Sequence, residues 1–343
     1  MNKWPAFIVT LALMLLSITV FYSCQKNNTA SPDSKDEVIT PGIIEKQFSV
    51  ANVYNTADGK TTEVWFYETP LVFEFKTSSP EAKHYFELLN TAKENKEVVS
   101  VRISGAAENQ INTVSPATAE QIAAYKTMLA NREQESVTKL SSPEESIKQT
   151  PTGLVAVVPN TTVLNTIFNT LRNQCCKAAG PYIYGQCIPF QYVADGCYAR
   201  AHKMRQVIES YYGYTSYKVF NYACNGAGTL AVSATLWNNN CCVKWWYHVT
   251  SYVIVQVGTA QYAYALDPAM FTGPVSIPTW YGAQKSVGCG YNGSAQGQVY
   301  YSSNAYAPNS LNTATCTLVP FADNTYTAAN ATCAAYAPRQ GCF

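Results

Sequence analysis

Charged residues are scarce in this chain of 343 residues, since Lys, Arg, Asp and Glu together make up only 13% of it. A nucleic-acid-binding surface needs clustered positive charge, and the scattered Lys and Arg exclude that class of partner, although 25 tyrosines could offer stacking surfaces. Histidine is scarce too, with three residues. A catalytic base of the histidine type must therefore be His84, His202 or His248.

Cysteine is absent between residues 25 and 153, whereas residues 154–343 hold eleven of the twelve cysteines. No Cys-x-x-Cys pair occurs, and vicinal Cys241 and Cys242 are poor ligand geometry for zinc. No acidic loop after residue 153 has the spacing of a Ca²⁺ site. We therefore expect no metal and no cofactor. The eleven cysteines of residues 154–343 are an odd number, which suits an exported protein with one free thiol and up to five disulfides.

Charge also divides the chain near residue 153. Residues 25–153 contain 13 Lys and Arg against 18 Asp and Glu, and residues 154–343 contain 9 against 4, giving net charges of −5 and +5. Opposite charges favour two folding units that bind each other. We predict an inhibitory α+β pro-domain at 41–140, a cleavable linker at 141–153 and a catalytic domain at 154–343. An accessory domain that stays attached is the alternative.

The N-terminus has the pattern of an export signal. Lys3 precedes an apolar run over 6–22, which is too short for a stable membrane span, so residues 1–23 are predicted to be a signal peptide. The Ser-Cys pair at 23–24 indicates cleavage before Cys24 and lipidation of its thiol, and ordinary secretion stays open. Polar residues 24–40 are predicted to be a tether. The protein is expected to be exported, with membrane contact only through this lipid anchor.

Hydrophobic periodicity indicates mixed elements on both sides of the charge boundary. Thr118 and Gln121 form a capping-box pattern at the start of a helix. After Gly288 the chain is rich in Tyr, Asn, Ser and Gly, which is typical of short strands and loops. The predicted strands of the first unit are 46–54, 63–67, 71–76 and 97–104, its predicted helices are 80–95 and 118–135, and the second unit is predicted to open with a helix at 162–173.

One cysteine stands at the start of a predicted helix. Asp195 is a candidate N-cap, and Ala201, Met204 and Ile208 follow at helical spacing. The thiol of Cys197 would then lie at the positive end of the helix dipole, where its pKa should fall toward neutrality. Cys197 is therefore a candidate nucleophile.

The three histidines differ as partners for this thiol. His202 follows Cys197 by five residues and so points about 140° away around the helix, which favours a surface role. His84 lies in a charged helix and is also predicted to be solvated. His248 lies in a strand predicted at 245–255, on the face opposite the apolar odd positions. His248 is the candidate base.

An aspartate completes the pattern. A hairpin with a four-residue loop at 256–259 would place Asp267 directly opposite His248, and a slip of two residues would leave them diagonal neighbours. A carboxylate beside an imidazole fixes its tautomer and stabilises its cation. Thiol, imidazole and carboxylate together indicate a cysteine hydrolase or an acyltransferase.

Three blocks of the sequence surround the candidate residues: Asp-Gly-Cys-Tyr-Ala-Arg-Ala-His-Lys-Met-Arg-Gln (195–206), Cys-Cys-Val-Lys-Trp-Trp-Tyr-His-Val (241–249) and Leu-Asp-Pro-Ala-Met-Phe-Thr-Gly-Pro-Val (266–275). These blocks resemble the bacterial protein-glutaminases, which are secreted protein-glutamine deamidases. The resemblance runs from about residue 155 to residue 343. Lys244 and Trp246 replace smaller or uncharged residues expected near the histidine, and the segment between Gly213 and Cys241 is longer than usual.

The resemblance implies a transglutaminase-like or papain-like catalytic domain, disulfide-rich, with a helix-borne cysteine and an antiparallel sheet. Cys197 would be the nucleophile, His248 the general base and acid, and Asp267 the group that orients the histidine. The protein would convert glutamine in protein or peptide substrates to glutamate with release of ammonia. The mature enzyme would be secreted or lipid-anchored at the bacterial envelope. The opposite charges of the two units favour the pro-domain as an intramolecular inhibitor, and we hypothesise that a strand of residues 25–153 occupies the cleft.

Three other functions stay open. A transglutaminase would use the same three residues and pass the acyl group to a lysine. A papain-like peptidase is disfavoured because its histidine usually follows the cysteine by about 130 residues or more, against 51 here. A non-catalytic, disulfide-rich surface binding module would have Cys197 paired or buried and unreactive.

Overall fold

The computed structural model describes residues 43–104, 109–130, 136–224 and 228–342. The predicted signal peptide, the tether and Cys24 lie outside these ranges. Residues 41–343 form one compact unit, in which we distinguish an N-terminal module (residues 43–130) and a C-terminal module (residues 136–342). In the part of the chain that is described, no helix combines the length and apolarity that crossing a bilayer requires.

The N-terminal module is an antiparallel five-stranded sheet with strand order β3-β2-β1-β4-β5. Phe48, Phe66 and Phe73 contact one another in its core, and Leu89 of the first helix is buried in the same cluster. Its elements are β1 (Ile44–Asn55), β2 (Thr61–Phe66), β3 (Val72–Lys76), α1 (Ala82–Asn95), β4 (Val98–Ile103), β5 (Ile111–Pro116) and α2 (Ala119–Ala130).

The sequence predicted these elements with one omission. Strands β1 to β4 and both helices are found within a few residues of the predicted positions, although residues 131–135 of the second predicted helix lie outside the described ranges. The capping box is formed in both directions: the Thr118 N–H donates to Gln121 Oε1 at 2.8 Å, and the Gln121 N–H donates to Thr118 Oγ1 at 3.2 Å. Strand β5 was not predicted.

The C-terminal module is built on a seven-stranded sheet with order β13-β12-β11-β8-β14-β6, in which β7 also pairs with β11. Two small sheets flank it, β9 with β10 and β15 with β16. The strands are β6 (Lys139–Leu140), β7 (Val157–Val158), β8 (Tyr217–Ala223), β9 (Leu230–Ala234), β10 (Cys241–Trp245), β11 (Tyr247–Val257), β12 (Ala260–Leu266), β13 (Val275–Ser276), β14 (Gln296–Ser302), β15 (Ala305–Asn312) and β16 (Thr317–Ala322), and the helices are α3 (Thr161–Asn173), α4 (Cys197–Gln206), α5 (Ile277–Gly282) and α6 (Thr327–Tyr336).

Helix α3 confirms the predicted helix at 162–173. Asn160 is its N-cap, and its side chain accepts a hydrogen bond from the Val163 N–H at 2.9 Å. The apolar residues at helical spacing are all buried, as the pattern predicts: Leu164, Ile167, Phe168 and Leu171.

Helix α4 begins directly at Cys197, but Asp195 is not its N-cap as predicted. Gly196 occupies that position with a φ of 79°, and no side chain caps the helix. A Cβ at Gly196 would also lie 2.8 Å from the ring of Tyr336, so both backbone conformation and space require glycine. The Asp195 carboxylate instead accepts hydrogen bonds from the Gly196 N–H and, at 2.7 Å, from the Tyr336 hydroxyl.

The hairpin that carries the histidine differs from its predicted register by two residues. Val257 pairs with Ala260, so the turn has two residues rather than four, and Ser251 lies opposite Leu266. The predicted strand at 245–255 is also two strands, because β10 ends before β11 begins. Side chains alternate with period two, so a two-residue slip leaves His248 and Asp267 on the same face.

Four disulfides form among the cysteines of the C-terminal module, fewer than the maximum of five. The vicinal cysteines bond to separate partners and hold β10 to two distant segments. Cys175, Cys197 and Cys333 are free and buried. The pairs are Cys176–Cys187, Cys224–Cys316, Cys241–Cys342 and Cys242–Cys289.

Residues 139–150, which include most of the predicted linker, lie against the C-terminal module. Leu140 pairs with Tyr300 of β14, and buried Ser146 is hydrogen-bonded to the hydroxyl of Tyr252 at 2.6 Å. The tail after Gly288 contains the predicted short strands β14 to β16. It also contains α6, a helix that the composition did not predict.

Candidate active site

Cys197 is almost completely buried, with 1% of its surface exposed. Its sulfur accepts a hydrogen bond from the backbone N–H of Val249, the residue after His248. Burial raises the pKa of the thiol to about 12, and the positive charge of Arg200 opposes this only in part. The predicted fall of this pKa toward neutrality is therefore wrong for this state, because loss of water outweighs the helix dipole.

His248 and Asp267 form a buried pair. The Nε2 atom of His248 lies 2.7 Å from Oδ2 of Asp267, while Nδ1 of His248 has no hydrogen-bond partner among the described residues. Burial lowers the pKa of His248 in spite of the neighbouring carboxylate, so the imidazole is neutral at neutral pH. Its Nδ1 is thus the ring atom left to exchange a proton with a reacting group.

Asp267 stays ionised in this setting although it is buried. Burial acts to raise its pKa, but the hydrogen bonds and charge around it hold the pKa below its ordinary value. Its Oδ2 accepts a second hydrogen bond, from the indole Nε1–H of Trp280 at 2.9 Å. After Asp267 the chain turns back through β13, which pairs with β12, and thereby brings Trp280 of α5 to the carboxylate.

Two tryptophans hold the imidazole between them. The ring of Trp245 stacks on His248 with centroids 4.4 Å apart and planes 12° apart, and Trp280 stacks at 5.4 Å. The Trp245 indole is itself fixed by a 2.9 Å hydrogen bond to the Ala194 carbonyl. Neither tryptophan was predicted to contact His248. The position of Trp245, three residues before the histidine, could have suggested such a contact, whereas nothing in the sequence around Trp280 does.

The two other histidines take no part in this arrangement. His84 is exposed, as predicted. His202 is fully buried, so its predicted surface position is wrong: its Nε2 lies 2.8 Å from the Thr325 carbonyl and its ring contacts Tyr306 and Tyr326. The helix indeed directs His202 away from the thiol, but α6 and β15 cover that side of the helix too.

The turn between β2 and β3 of the N-terminal module lies against Trp245 and Trp246, beside the candidate catalytic residues. The Trp246 N–H donates to the Pro70 carbonyl at 2.9 Å, and the Trp246 indole donates to the carbonyls of Thr69 at 2.8 Å and Phe66 at 3.1 Å. Leu71 forms an antiparallel bridge with Trp245. The segment that contacts Trp245 and Trp246 is thus a turn with one bridge, directly before β3. The strand expected in the cleft stays a prediction.

The same turn reaches the start of helix α4. The Thr69 side chain is hydrogen-bonded to the buried carboxylate of Asp195, two residues before Cys197. A cavity of about 440 Å³ lies beside this contact, between the two modules. Among the described residues, no group of three His, Cys, Asp or Glu side chains could hold a metal ion. The chemistry available here is that of a thiol, an imidazole and a carboxylate.

Comparison with known proteins gives one consistent family. A family model described as glutaminase matches residues 164–284, which include Cys197, His248 and Asp267. A crystal structure of pro-protein-glutaminase is similar over 88% of this chain and 95% of that chain, with 26% sequence identity and a TM-score of 0.65. The chain belongs to the protein-glutaminase family.

Two further protein-glutaminase structures are similar. The crystal structure of the A47Q2 mutant of pro-protein-glutaminase has 26% identity, covers 88% of this chain and 95% of that chain, and gives a TM-score of 0.66. The NMR structure of protein-glutaminase from Chryseobacterium proteolyticum has 31% identity over 55% of this chain and 93% of that chain, with a TM-score of 0.44. No curated protein sequence gives a match.

The likeness to the pro-forms extends beyond the C-terminal module. An alignment over 88% of the chain cannot be contained in residues 136–342, so it includes part of the N-terminal module. This coverage supports an intramolecular pro-domain, in agreement with the contacts of the N-terminal module at Trp245 and Trp246.

Proposed function

We propose that this protein is a protein-glutamine deamidase that is made as a zymogen. It converts glutamine within proteins to glutamate and releases ammonia. The observation that carries the proposal is the buried arrangement of Cys197, His248 and Asp267 in a chain related to pro-protein-glutaminases.

The first half of the reaction forms a thioester. The thiol proton of Cys197 passes to Nδ1 of His248, and the thiolate attacks the side-chain carboxamide carbon of the substrate glutamine. A carbon–sulfur bond forms and the carbonyl oxygen becomes an oxyanion. His248 then gives its proton to the amide nitrogen, the carbon–nitrogen bond breaks and ammonia leaves. Asp267 stabilises the imidazolium and fixes the tautomer that has Nδ1 free.

The second half hydrolyses the thioester. His248 takes a proton from water, the hydroxide attacks the acyl carbon, and the carbon–sulfur bond breaks to give glutamate. The proton returns from His248 to the sulfur of Cys197. Backbone N–H groups in the first turn of α4 are the donors that support the oxyanion in both halves, because a helix start leaves them without intrahelical partners.

The zymogen proposal rests on charge and burial. Residues 41–140 are the proposed inhibitory pro-domain, 141–153 the cleavable linker and 154–343 the catalytic domain. The acidic first part and the basic second part attract each other, and the β2–β3 turn prevents substrate from reaching the thiol. Residues 139–150 lie against the catalytic sheet. After cleavage in the linker, these residues therefore either dissociate from the catalytic domain or stay bound to it.

Export remains part of the proposal. The signal-peptide pattern at 1–23 and the four disulfides both suit an oxidising compartment outside the cytoplasm. Lipidation of Cys24 and a tether at 24–40 would retain the protein at the bacterial envelope; without lipidation it would be secreted.

The test is ammonia release from casein, measured before and after limited proteolysis of the full-length chain. We expect ammonia only after proteolysis, together with conversion of casein glutamines to glutamates by mass spectrometry. Crosslinked casein would instead indicate a transglutaminase, and casein fragments a peptidase. Absence of all three products, with Cys197 unlabelled by iodoacetamide, would leave a surface binding module.

Trp280 is predicted to position Asp267 for this reaction. Phenylalanine at position 280 keeps the stacking on His248 but removes the hydrogen bond to the carboxylate, so kcat should fall about 10-fold. The Trp280 hydrogen bond lowers the pKa of Asp267. Its loss raises that pKa, and the acidic limb of the activity profile should move to higher pH. The measurement is kcat against pH for Trp280→Phe.

Trp237 offers a matched control for this variant. Its indole donates to the Pro268 carbonyl at 2.9 Å, one residue beyond Asp267, and does not contact the carboxylate. Trp237→Phe therefore removes an equivalent hydrogen bond and should leave the pH profile in place. If the pH profile of kcat is unshifted in Trp280→Phe, Trp280 only packs against the site and does not position Asp267.

A further inference from the structure

Two carboxylates of the N-terminal module face one lysine of the C-terminal module. Glu63 of β2 and Glu74 of β3 lie directly opposite each other in an antiparallel pair, where like charges repel. The cavity of about 260 Å³ beside them is lined on its other side by Lys244 of β10. The positive charge of Lys244 therefore opposes the repulsion between the two glutamates.

Neighbouring groups do not neutralise these carboxylates. The Tyr54 hydroxyl donates to Glu63 and the Gln110 amide donates to Glu74, and both donors are uncharged. Lys244 is exposed and lies in a cavity large enough to hold several waters, so it attracts the pair across solvent rather than by direct contact.

Lys244 lies at the end of a path that starts over the catalytic residues. The chain of the N-terminal module bonds to Trp246 through the Pro70 carbonyl and then bridges to Trp245 at Leu71. Four residues after Pro70 the same segment reaches Glu74, beside Lys244. One extended stretch of polypeptide thus runs from the catalytic site to the lysine.

We propose that Lys244 is a specificity-determining residue that makes the activated enzyme prefer glutamines followed, a few residues downstream, by glutamate or aspartate. Departure of the N-terminal module removes both of its carboxylates and leaves the ammonium without a nearby counter-charge. A substrate chain that follows the path of residues 70–74 brings its own carboxylate to the same place. This inference rests on the proposed function, since it assigns a substrate preference to that site.

The preference depends on position, which separates it from general attraction. Residues 154–343 carry a net charge of +5, which attracts any acidic protein and gives no preference for one position in the substrate. Lys244 instead acts on a carboxylate at one distance from the glutamine. An exposed ion pair of this kind changes kcat/KM by about 2- to 5-fold and weakens as salt is added.

The experiment uses full-length protein activated by limited proteolysis and synthetic peptides with a single glutamine. One glutamate is moved along the downstream positions, one position per peptide, and parallel series carry alanine or lysine there. We expect kcat/KM for ammonia release to be about 2- to 5-fold higher for glutamate than for alanine at one position, and lowest for lysine. Lys244→Glu should reverse the order of glutamate and lysine, and Lys244→Met should abolish the difference.

Lys177→Glu is the control for net charge. Lys177 is exposed and its ammonium contacts Gln340 rather than this cavity, so its charge reversal should keep the wild-type order of peptides. If Lys244→Glu also keeps that order while it releases ammonia, the specificity inference is wrong and the proposed function stands. If the wild-type protein releases no ammonia from any peptide or from casein, the proposed function itself is wrong.

Discussion

Replacement of Cys197 by alanine is expected to lower kcat for ammonia release by at least about 10⁴-fold in the activated protein. No other group at the site can form the thioester, because His248 and Asp267 only move or stabilise a proton in the proposed reaction. Direct attack of water on a carboxamide is far slower than the two-step route. The measurement is ammonia release from casein over long incubations, with the folded state checked by circular dichroism.

The chain contains two matched controls for this variant. Cys175 and Cys333 are also free and buried, so Cys175→Ala and Cys333→Ala remove a comparable thiol without touching the site. Both should keep kcat near that of the wild type. Ammonia release by Cys197→Ala at the rate of either control would contradict the thioester mechanism.

Thiol labelling tests the role of Cys197 as nucleophile without measuring turnover. Burial raises the pKa of Cys197 to about 12 in the intact chain, so very little thiolate exists there at about pH 8. Proteolysis that releases the N-terminal module restores water to the thiol and lowers this pKa. Labelling of Cys197 by iodoacetamide at about pH 8 should therefore accelerate at least about 10-fold after trimming, and equal rates would show that the module does not seal the site.

The candidate catalytic residues could be brought together from the sequence because their positions depend on local periodicity. Cys197 precedes a run with helical spacing, and His248 and Asp267 lie on or just after strands joined by a short turn. The predicted register of that hairpin was wrong by two residues. The error did not separate the pair, because an even slip preserves the face of every side chain and diagonal neighbours remain in reach.

The chemical state of the site could not be predicted in the same way. The helix start alone argues for a lowered pKa at Cys197, but in the folded chain this residue lies in a buried cluster that includes Trp65 and Val72, from more than 120 residues earlier. The burial of His202 has the same origin, since α6 and β15 cover it from the distant tail. Desolvation is a tertiary effect, and local patterns do not contain it.

The two elements that were missed have weak patterns for physical reasons. Strand β5 buries only Ile111 and Val114, which are three residues apart and so break the alternation expected of a strand. Helix α6 consists mainly of Ala, Thr and Asn and buries only Ala329 and Cys333. Its small side chains pack closely on α4, and their low hydrophobicity resembles that of a loop.

Asp267→Asn is expected to lower kcat by about 10²- to 10⁴-fold with little change in KM. Oδ2 of Asp267 accepts hydrogen bonds from both His248 and Trp280, so an amide keeps both bonds only where its single oxygen takes the place of Oδ2. If the amide NH₂ faces His248, the imidazole must accept at Nε2 and carry its proton on Nδ1, where it can no longer take the thiol proton. The variant also loses the charge that stabilises the imidazolium, which lowers the pKa of His248. Protonation of this base sets the acidic limb of the pH profile, so that limb should move to lower pH.

Asp323→Asn provides the same chemical change away from the site. The Asp323 carboxylate accepts hydrogen bonds from the backbone N–H and the hydroxyl of Thr325, in the turn before α6. Replacing the Asp323 carboxylate affects that turn and not the candidate site, so kcat and the pH profile of Asp323→Asn should match the wild type.

Because asparagine has almost the volume of aspartate, Asp267→Asn should also unfold at nearly the wild-type temperature. A folded Asp267→Asn protein with wild-type kcat would remove Asp267 from the mechanism and leave Trp280 without a carboxylate to position.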